Sequence, residues 1–352
     1  MKETDSSMGT ESRHLLGRFW LPSQPDRQLT GWLDLSGTRP IVTLNGQLTP
    51  AVEWKPTTDG NSIIGHPASE GFGTDPGVTI HGSLAEGSQK EVTIFNAITR
   101  SRTYEGIPIG EEIGGVHVLQ GTWAVRGGLL TPDEKIVSAS LRFTNLDEWI
   151  NAKSVDAEFY FRPHHSASIT YREPYPQTAL VPTLGGSIGT RFASDLPSVQ
   201  FNGMQIGHKS WIFFDNLNST PESLLSTYVQ PVLILASIML NRRCYITEIS
   251  ITTEKDPWSL RVHHPIVRRD ATDQPPRPGD HVINLRDVGI GAIARWIPRA
   301  NALSPIPSII YSAINDESSR TLESRLLELA AAAEGFDRRK HGDKESIFDK
   351  SL

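Results

Sequence analysis

Short apolar segments with a period of two fill the first part of the chain. Between residues 15 and 214, β-branched and aromatic residues recur at alternate positions, and Gly or Pro interrupts the segments. This alternation is the pattern of half-buried strands. Many short strands with frequent turns favour an antiparallel sandwich or barrel over parallel βαβ units. We predict strands over residues 29–35, 40–46, 91–96, 116–119, 136–143, 157–161, 167–171 and 209–214.

Helical periodicity replaces this alternation near residue 220. Thr220 and Pro221 form an N-cap and first-turn pair, and apolar residues then recur at helical spacing up to Met239. We therefore predict a buried helix near 221–240, with a kink at Pro231. Beyond it, the pattern predicts strands over 245–252 and 259–268, a loop over 270–280 and a short helix over 290–297.

A long amphipathic helix is predicted over residues 321–339. Four consecutive alanines, 330–333, raise its intrinsic helix propensity. Its apolar face is formed by Leu322, Leu326, Leu329, Ala330, Ala333 and Phe336. Without a partner, this face should drive self-association or pack back on the β-rich body. The helix also fits the first helix of a domain whose remainder is missing.

These patterns predict a mainly β (α+β) chain. We expect an antiparallel β-sandwich-like body, an embedded helix near 221–240 and a C-terminal helical segment. The expected organisation is a disordered N-terminus over 1–14, a β-rich domain over 15–290, a linker with a short helix over 291–320, and an incomplete helical segment over 321–352.

The composition indicates a folded chain that carries no export signal. Of its 352 residues, 38% are hydrophobic and 21% are charged, which is enough apolar material for a core. A net charge of -6 excludes a general nucleic-acid coat, although local basic patches remain compatible with it. Cys244 is the only cysteine, which excludes an intrachain disulfide and a multi-cysteine zinc site. We expect a cytoplasmic protein with no membrane contact.

No complete catalytic or metal-binding pattern is present in the sequence. The adjacent histidine pairs 164–165 and 263–264 would point to opposite faces of a strand, so neither pair chelates an ion easily. Residues 185–190 are glycine-rich but lack the Gly-Lys-Ser/Thr ending of a phosphate loop, and a hairpin loop is the better interpretation. We interpret Cys244 as an inert thiol because it follows a buried helix. We therefore expect no metal and no cofactor.

Residues 141–149 form the most individual segment of the chain. A predicted strand runs into an Asn-Leu-Asp turn that ends on a tryptophan. Asn145 or Asp147 is suited to capping a short turn, and Trp149 is suited to closing the edge of the core. This structural interpretation is the stronger one. The alternative makes the turn the edge of a ligand site.

Several segments together resemble the ApeA N-terminal domain family. An aromatic-Leu-Pro unit at 19–22, a Gly-centred strand at 29–33 and a strand at 92–96 follow in order, and then the Leu-Asp-Glu-Trp motif at 146–149. Arg295 and Trp296 also fit, and residues 325–338 look like the start of the helical domain that follows in the family. The motif residues that we interpret as structural are Trp20, Pro22, Gly31, Asn145, Leu146, Asp147, Trp149 and Trp296.

The resemblance implies a part in bacterial anti-phage abortive infection. Family members resemble two-part proteins, with an N-terminal β-rich region and a C-terminal HEPN domain that dimerises and cuts RNA through an Arg-x4-6-His motif. In such a motif the His acts as general acid or base and the Arg holds the phosphate. No Arg in this sequence is followed by a His at that spacing, and Asp337 stands where we would expect the His. Catalytic residues are therefore expected to be absent from this chain.

Three hypotheses follow from these observations. The leading one is a sensing or regulatory N-terminal module that detects a phage protein or restrains a HEPN effector, with nucleic acid contacted only through that effector. The helix at 321–339 would contact the effector or a second copy. An alternative is a binding module for carbohydrate or peptide, with Trp32, Trp54, Trp123 and Trp211 as stacking platforms. A third is a hydrolase that uses scattered His and Asp residues.

Overall fold

The fold is described from a computed structural model. It covers residues 14–48, 52–56, 63–67, 77–103, 115–152, 155–160, 166–172, 174–194, 198–200, 203–205, 208–273, 283–314 and 321–341. Two compact units are present, and each is made of two stretches of chain. Unit 1 takes residues up to 134 together with 256–267. Unit 2 takes residues 135–255 and those from 268 onward.

Unit 1 is an antiparallel β structure whose strands close into a ring. The ring order is β1-β2-β3-β8-β7-β6, and β6 returns to β1. The ring closes through the long strand β7. One edge of β7 pairs with β9 at residues 92–95 and then with β8 at residues 98–102. The strands, numbered in chain order, are β1 (His14–Trp20), β2 (Leu29–Asp34), β3 (Ile41–Asn45), β4 (Val52–Pro56), β5 (Ile63–Pro67), β6 (Val78–Leu84), β7 (Glu91–Arg102), β8 (Val116–Gln120) and β9 (Trp123–Arg126), with β19 (Leu260–His263) beside β9.

The interior of the ring holds one apolar core. Along β2 and β3 the buried positions alternate with more exposed ones, as a period of two requires, whereas β7 is buried at consecutive positions where β6 and β9 flank it. Gly31 lies where β2 approaches β3 so closely that a Cβ would overlap the Thr43 carbonyl and Leu44. The core residues are Phe19, Leu33, Val42, Leu44, Leu48, Ile80, Leu84, Val92, Ile94, Ala97, Leu119 and Ala124.

Unit 2 contains an open antiparallel sheet in the order β13-β14-β17-β10-β18. Two hairpins, β11–β12 and β15–β16, are separate from it. The strands are β10 (Ile136–Phe143), β11 (Val155–Tyr160), β12 (Ser166–Tyr171), β13 (Thr178–Leu180), β14 (Ser187–Ser194), β15 (Ser198–Gln200), β16 (Gly203–Gln205), β17 (His208–Asp215) and β18 (Ile246–Thr253). An antiparallel, mainly β chain with a C-terminal helical segment is therefore confirmed.

Helices supply the rest of unit 2. They are α1 (Leu146–Ile150), α2 (Pro221–Leu224), α3 (Gln230–Leu240), α4 (Leu285–Val288), α5 (Ile290–Ala302), α6 (Ile306–Ile314) and α7 (Leu322–His341), with one π-helical turn (Leu225–Val229) between α2 and α3. Thr220 caps α2 through its side chain, which accepts from the Ser223 N–H. The embedded helix near 221–240 is thus present, and a π turn takes the place of a simple kink.

Two side chains of α5 stabilise the embedded helix around its proline. Pro231 has no N–H, so the carbonyl of Thr227 one turn earlier lacks a helical donor. Asn301 Nδ2 donates to that carbonyl at 3.0 Å. The Trp296 indole N–H donates to the Pro231 carbonyl at 2.9 Å. The helix therefore remains continuous through Pro231.

The C-terminal helix α7 packs on α6 with a face other than the predicted apolar one. Ala332 is buried, Gly335 lies against Ile306, and Arg339 donates to the Ala302 carbonyl at 3.0 Å. Leu326, Leu327, Leu329 and Phe336 are 59%, 71%, 39% and 43% exposed. The small residues allow close approach to α6, which leaves the leucine face unpartnered among the described residues.

Within the described residues, one helical segment, 221–240, is long and apolar enough to cross a membrane. Unit 2 buries 61% of that segment. Burial of this extent is typical of a core helix in a soluble protein.

Several predicted elements differ from the structure in extent. β7 continues six residues beyond the predicted strand, and the strand predicted over 259–268 is only Leu260–His263. Of the glycine-rich residues 185–190, only 185 and 186 lie in the loop between β13 and β14, because β14 begins at Ser187. Most of the predicted 270–280 loop, and the histidine pair 164–165, lie outside the described residues.

Candidate functional site

The family-like motif forms the short helix α1 at the end of strand β10. Asn145, with a positive φ of 62°, turns the chain from the strand into the helix. Thr144 holds the turn, since its N–H donates to the Tyr245 carbonyl at 2.9 Å and its Oγ1 accepts from the Tyr245 N–H at 3.0 Å. The Asn145 N–H donates to Asp273 Oδ1 at 2.6 Å. The start of α1 is therefore fixed from two distant parts of the sequence.

Asp147 uses both of its carboxylate oxygens. Oδ2 accepts from Arg142 Nη2 at 2.7 Å, and Oδ1 accepts from the Ser210 N–H at 3.0 Å. Arg142 also donates to the Ser210 carbonyl at 2.9 Å. Charge-assisted bonds of this kind are about twice as strong as neutral ones. They tie α1 to β10 and β17.

Glu148 makes the second ion pair of α1. Its Oε1 accepts from Arg242 Nη2 at 2.8 Å, and the Arg242 side chain is only 8% exposed. Oε2 accepts from Asn145 Nδ2 at 3.3 Å. We call Arg142, Asp147, Glu148, Ser210 and Arg242 the α1 clamp. The predicted capping role of Asn145 is wrong in one respect, because its side chain bonds Glu148 and caps no helical N–H.

The apolar side of α1 is buried in unit 2. Trp149 is fully buried and packs against Phe143 with ring centroids 5.7 Å apart. Leu146 and Ile150 are buried beside it. Among the described residues, the Trp149 indole N–H has no hydrogen-bond partner. Its place therefore depends on packing area and shape.

The geometry of the α1 clamp suits a structural role. A general base needs to face a substrate proton within hydrogen-bond reach. Both carboxylates of α1 instead face arginines and backbone N–H or amide donors at 2.7 to 3.3 Å. The geometry thus fits the structural interpretation of the motif.

The other family-like positions belong to other elements. Trp20 is buried at the end of β1, edge-on to His81 with ring centroids 6.3 Å apart, and Pro22 lies exposed in the turn that follows. Gly31 lies on β2 beside the ring core described above. Trp296 lies on α5 against the embedded helix. Trp20, Pro22 and Gly31 thus belong to unit 1, and Trp296 belongs to unit 2.

Cys244 lies in an environment that opposes nucleophilic chemistry. Burial raises the pKa of its thiol to about 12. Its N–H donates to Ser237 Oγ at 3.0 Å, and its carbonyl accepts from the Tyr311 hydroxyl at 3.3 Å. The thiolate is the reactive form, so Cys244 is inert at neutral pH, in agreement with the sequence interpretation.

The histidines of the described residues are dispersed. No group of three or more His, Cys, Asp or Glu side chains is placed to hold a metal ion among them. His263 is buried, and its neighbour His264 is half-buried. Burial, and to a lesser degree the Arg39 charge, lower the pKa of His264 to about 4. His264 is therefore neutral over the physiological range.

The tryptophans proposed as stacking platforms differ in their exposure. Trp32 is half exposed on β2, whereas Trp123 is buried and stacked on Phe95 at 4.4 Å. Trp211, in the other unit, lies under Arg142 at 5.9 Å. The side chain of Trp54 is outside the described residues. The structure gives this binding hypothesis no specific support.

Sequence reasoning missed a cavity beside the end of α1. It lies between Ile150 and the segment that contains Arg172 and Tyr175, and α4 closes it with Arg286. Its volume is about 360 Å³. Its walls come from four parts of the chain, near residues 151, 175, 191 and 286, so no local motif joins them. The sequence offered only a weak indication of this cavity: Arg172 lies three residues before Tyr175, and Arg286 directly follows Leu285.

The chain is a β-rich scaffold, and the residues of its family-like motif mainly support the fold. It belongs to the ApeA N-terminal domain family, since the profile of ApeA N-terminal domain 1 matches residues 14–296 of 352. No curated protein and no solved structure matches the chain.

Proposed function

We propose that this chain is the sensing or regulatory N-terminal module of an ApeA-like anti-phage abortive-infection protein. It detects a phage component, or it restrains a HEPN ribonuclease that supplies the catalytic residues. Family membership over residues 14–296 is the observation that carries the proposal. The module contacts RNA only through that effector and acts in the cytoplasm.

The distribution of charged side chains supports a regulatory role. The two carboxylates of the family-like motif are held in ion pairs with Arg142 and Arg242. The single thiol is buried and protonated. The chemistry that the family resemblance implies would therefore come from another domain.

The exposed leucine face of α7 is the proposed contact with that domain or with a second copy. Leu326, Leu329 and Phe336 together present an exposed apolar stripe, and such a stripe marks a surface for a partner. The helix packs on α6, and α6 packs on the embedded helix α3. A ligand bound by unit 2 could thus shift α7 through contacts between neighbouring helices.

The proposal is tested by phage challenge of bacteria that carry the gene at its native locus. The wild-type gene should lower the efficiency of plating for at least one phage of a broad panel. Replacing Leu326→Asp and Leu329→Asp together should abolish protection while the purified chain keeps its melting temperature, because both side chains are exposed. Leu180→Asp, at an exposed leucine on β13, is the matched control and should keep protection.

Two outcomes would contradict the proposal. One is a native locus that protects against no phage in the panel. The other is full protection by the Leu326→Asp, Leu329→Asp variant, which would remove the α7 face from the account. Light scattering on the same proteins separates the two proposed partners, because a self-associating wild type should become monomeric in the double variant.

A further inference from the structure

The cavity beside α1 has a cationic rim and an apolar floor. Ile150 and Leu285 are buried and form part of the floor, together with Phe192. Arg172 and Arg286 are exposed at the rim. Neither guanidinium has a hydrogen bond or an ion pair with any described residue, and the described part of the lining includes no carboxylate. Two unpaired positive charges thus meet at one concave place in a chain with a net charge of -6.

The acidic side chains of the neighbouring helices α1 and α4 are already engaged. Asp287 accepts from the Asn284 N–H at 3.2 Å in the cap of α4. Asp147 and Glu148 belong to the α1 clamp and pair with Arg142 and Arg242. The rim arginines are therefore available to an external anion.

Tyr175 adds an aromatic surface to the same cavity. Its side chain is 92% exposed, although it lines the cavity wall. An exposed aromatic ring beside arginines is the combination that binds a planar base by stacking and a phosphate by charge-assisted hydrogen bonds. The Gln177 side chain is exposed at the same wall and can read polar groups of a base.

We propose that this cavity binds a small ligand that carries both a phosphate group and a planar ring, namely a nucleotide. Arg172 and Arg286 hold the phosphate, and Tyr175 stacks on the base. A volume of about 360 Å³ suits a mononucleotide and excludes a duplex. The proposal concerns binding by this chain and does not depend on its part in phage defence.

Isothermal titration of the intact chain with each of the four common ribonucleoside 5′-monophosphates tests the proposal. At least one should bind with a dissociation constant below ~1 mM. The matching nucleoside, which lacks the phosphate, and inorganic phosphate, which lacks the ring, should each bind at least roughly tenfold more weakly. Binding by none of the four overturns the proposal.

Variants assign the roles of the three side chains. Arg172→Gln combined with Arg286→Gln should weaken binding at least roughly tenfold. Tyr175→Ala should weaken it about 5- to 100-fold, and Tyr175→Phe should restore it, because stacking needs only the ring. All three positions are exposed, so the melting temperature should not change. Arg191→Gln is the control, since Arg191 lies on β14 but pairs with Asp215.

Three results would refute this assignment. Binding that survives the double arginine variant would place the ligand elsewhere. Inorganic phosphate that binds as tightly as the nucleotide, with no effect of Tyr175→Ala, would leave only a general anion site. A hexaglutamate peptide that binds more tightly than every nucleotide would show that the cavity recognises acidic peptides.

Discussion

The two units bury their sheets by different means. In unit 1 the strands close on themselves, and the interior is filled by apolar residues such as Phe19 and Ile94. In unit 2 the sheet is open, and the chain around α1 is fixed by ion pairs such as Glu148–Arg242. Closure distributes stability over many weak apolar contacts. Unit 2 also buries apolar residues, such as Phe214 and Leu240, and its clamp adds a few localised ion pairs to that packing.

The largest expected effect tests the apolar side of this comparison. Phe19→Ala removes a fully buried ring from the core of unit 1 and should lower the free energy of unfolding by about 3–5 kcal/mol. Urea unfolding followed by circular dichroism measures it. Leu16→Ala, on the outward side of the same strand, is the control and should cost less than ~1 kcal/mol. Equal losses for the two variants would contradict the ring core.

The next effect tests the polar side. Arg242→Met should lower the free energy of unfolding of unit 2 by about 2–3 kcal/mol, because it leaves Glu148 unpaired. This expected loss is smaller than the loss for a fully buried ion pair, because the Glu148 side chain is 29% exposed. Adding Glu148→Gln should recover part of the loss.

The same unit contains a matched control for this ion pair. Arg191 and Asp215 form a pair at 3.1 Å with side chains 53% and 34% exposed. Arg191→Met should cost at most about 1 kcal/mol, because solvent screens exposed pairs. If it costs as much as Arg242→Met, burial is not what makes the α1 clamp important.

A smaller effect is expected from pH in unit 1. Burial lowers the pKa of His264 to about 4 in the native chain. Between pH 6.5 and 4 the unfolded chain therefore binds a proton at His264, whereas the native chain does not. The free energy of unfolding should therefore fall as pH drops from 6.5 toward 4. After allowance for solvent screening, this contribution is about 1–2 kcal/mol. His264→Gln should show a flatter pH profile in urea titrations, and an unchanged slope would contradict the burial argument.

The smallest effect concerns the embedded helix. Trp296→Phe keeps most of the packing but removes the hydrogen bond to the Pro231 carbonyl, which should cost about 1 kcal/mol. Thermal unfolding monitored at 222 nm measures it. Asn301→Ala should give a similar loss through the Thr227 carbonyl. A melting temperature equal to wild type for both variants would show that α5 does not support this helix.

In both units the sequence predicted some strands and missed others, such as β1, β6 and β14. It predicted local elements better than contacts between distant residues, for a physical reason. Alternation along β2, β3 and β8 is a local property, so these strands could be predicted within one or two residues. The Thr220 cap is equally local. The partners of α1 lie far away in sequence, with Arg242 94 positions from Glu148. Hydrophobic periodicity along the sequence does not reveal an ion pair between such distant residues.

The surface of α7 illustrates the same limit. The apolar face around Leu326 and Leu329 was predicted to self-associate or to pack on the β-rich body, whereas among the described residues α7 packs on α6 through Ala332 and Gly335. Hydrophobic periodicity measures apolar area, but close approach to α6 depends on small side chains. The cavity at Arg172 and Arg286 was missed because α4 is distant from Tyr175 in sequence.

The central claim is that the family-like motif at α1 supports the fold of unit 2, and urea unfolding of Asp147→Asn tests it most directly. The substitution weakens the bonds to Arg142 and to the Ser210 N–H. We predict a loss of about 1–2 kcal/mol in the free energy of unfolding. A midpoint equal to that of the wild type would contradict the claim and would favour the motif as the edge of a ligand site.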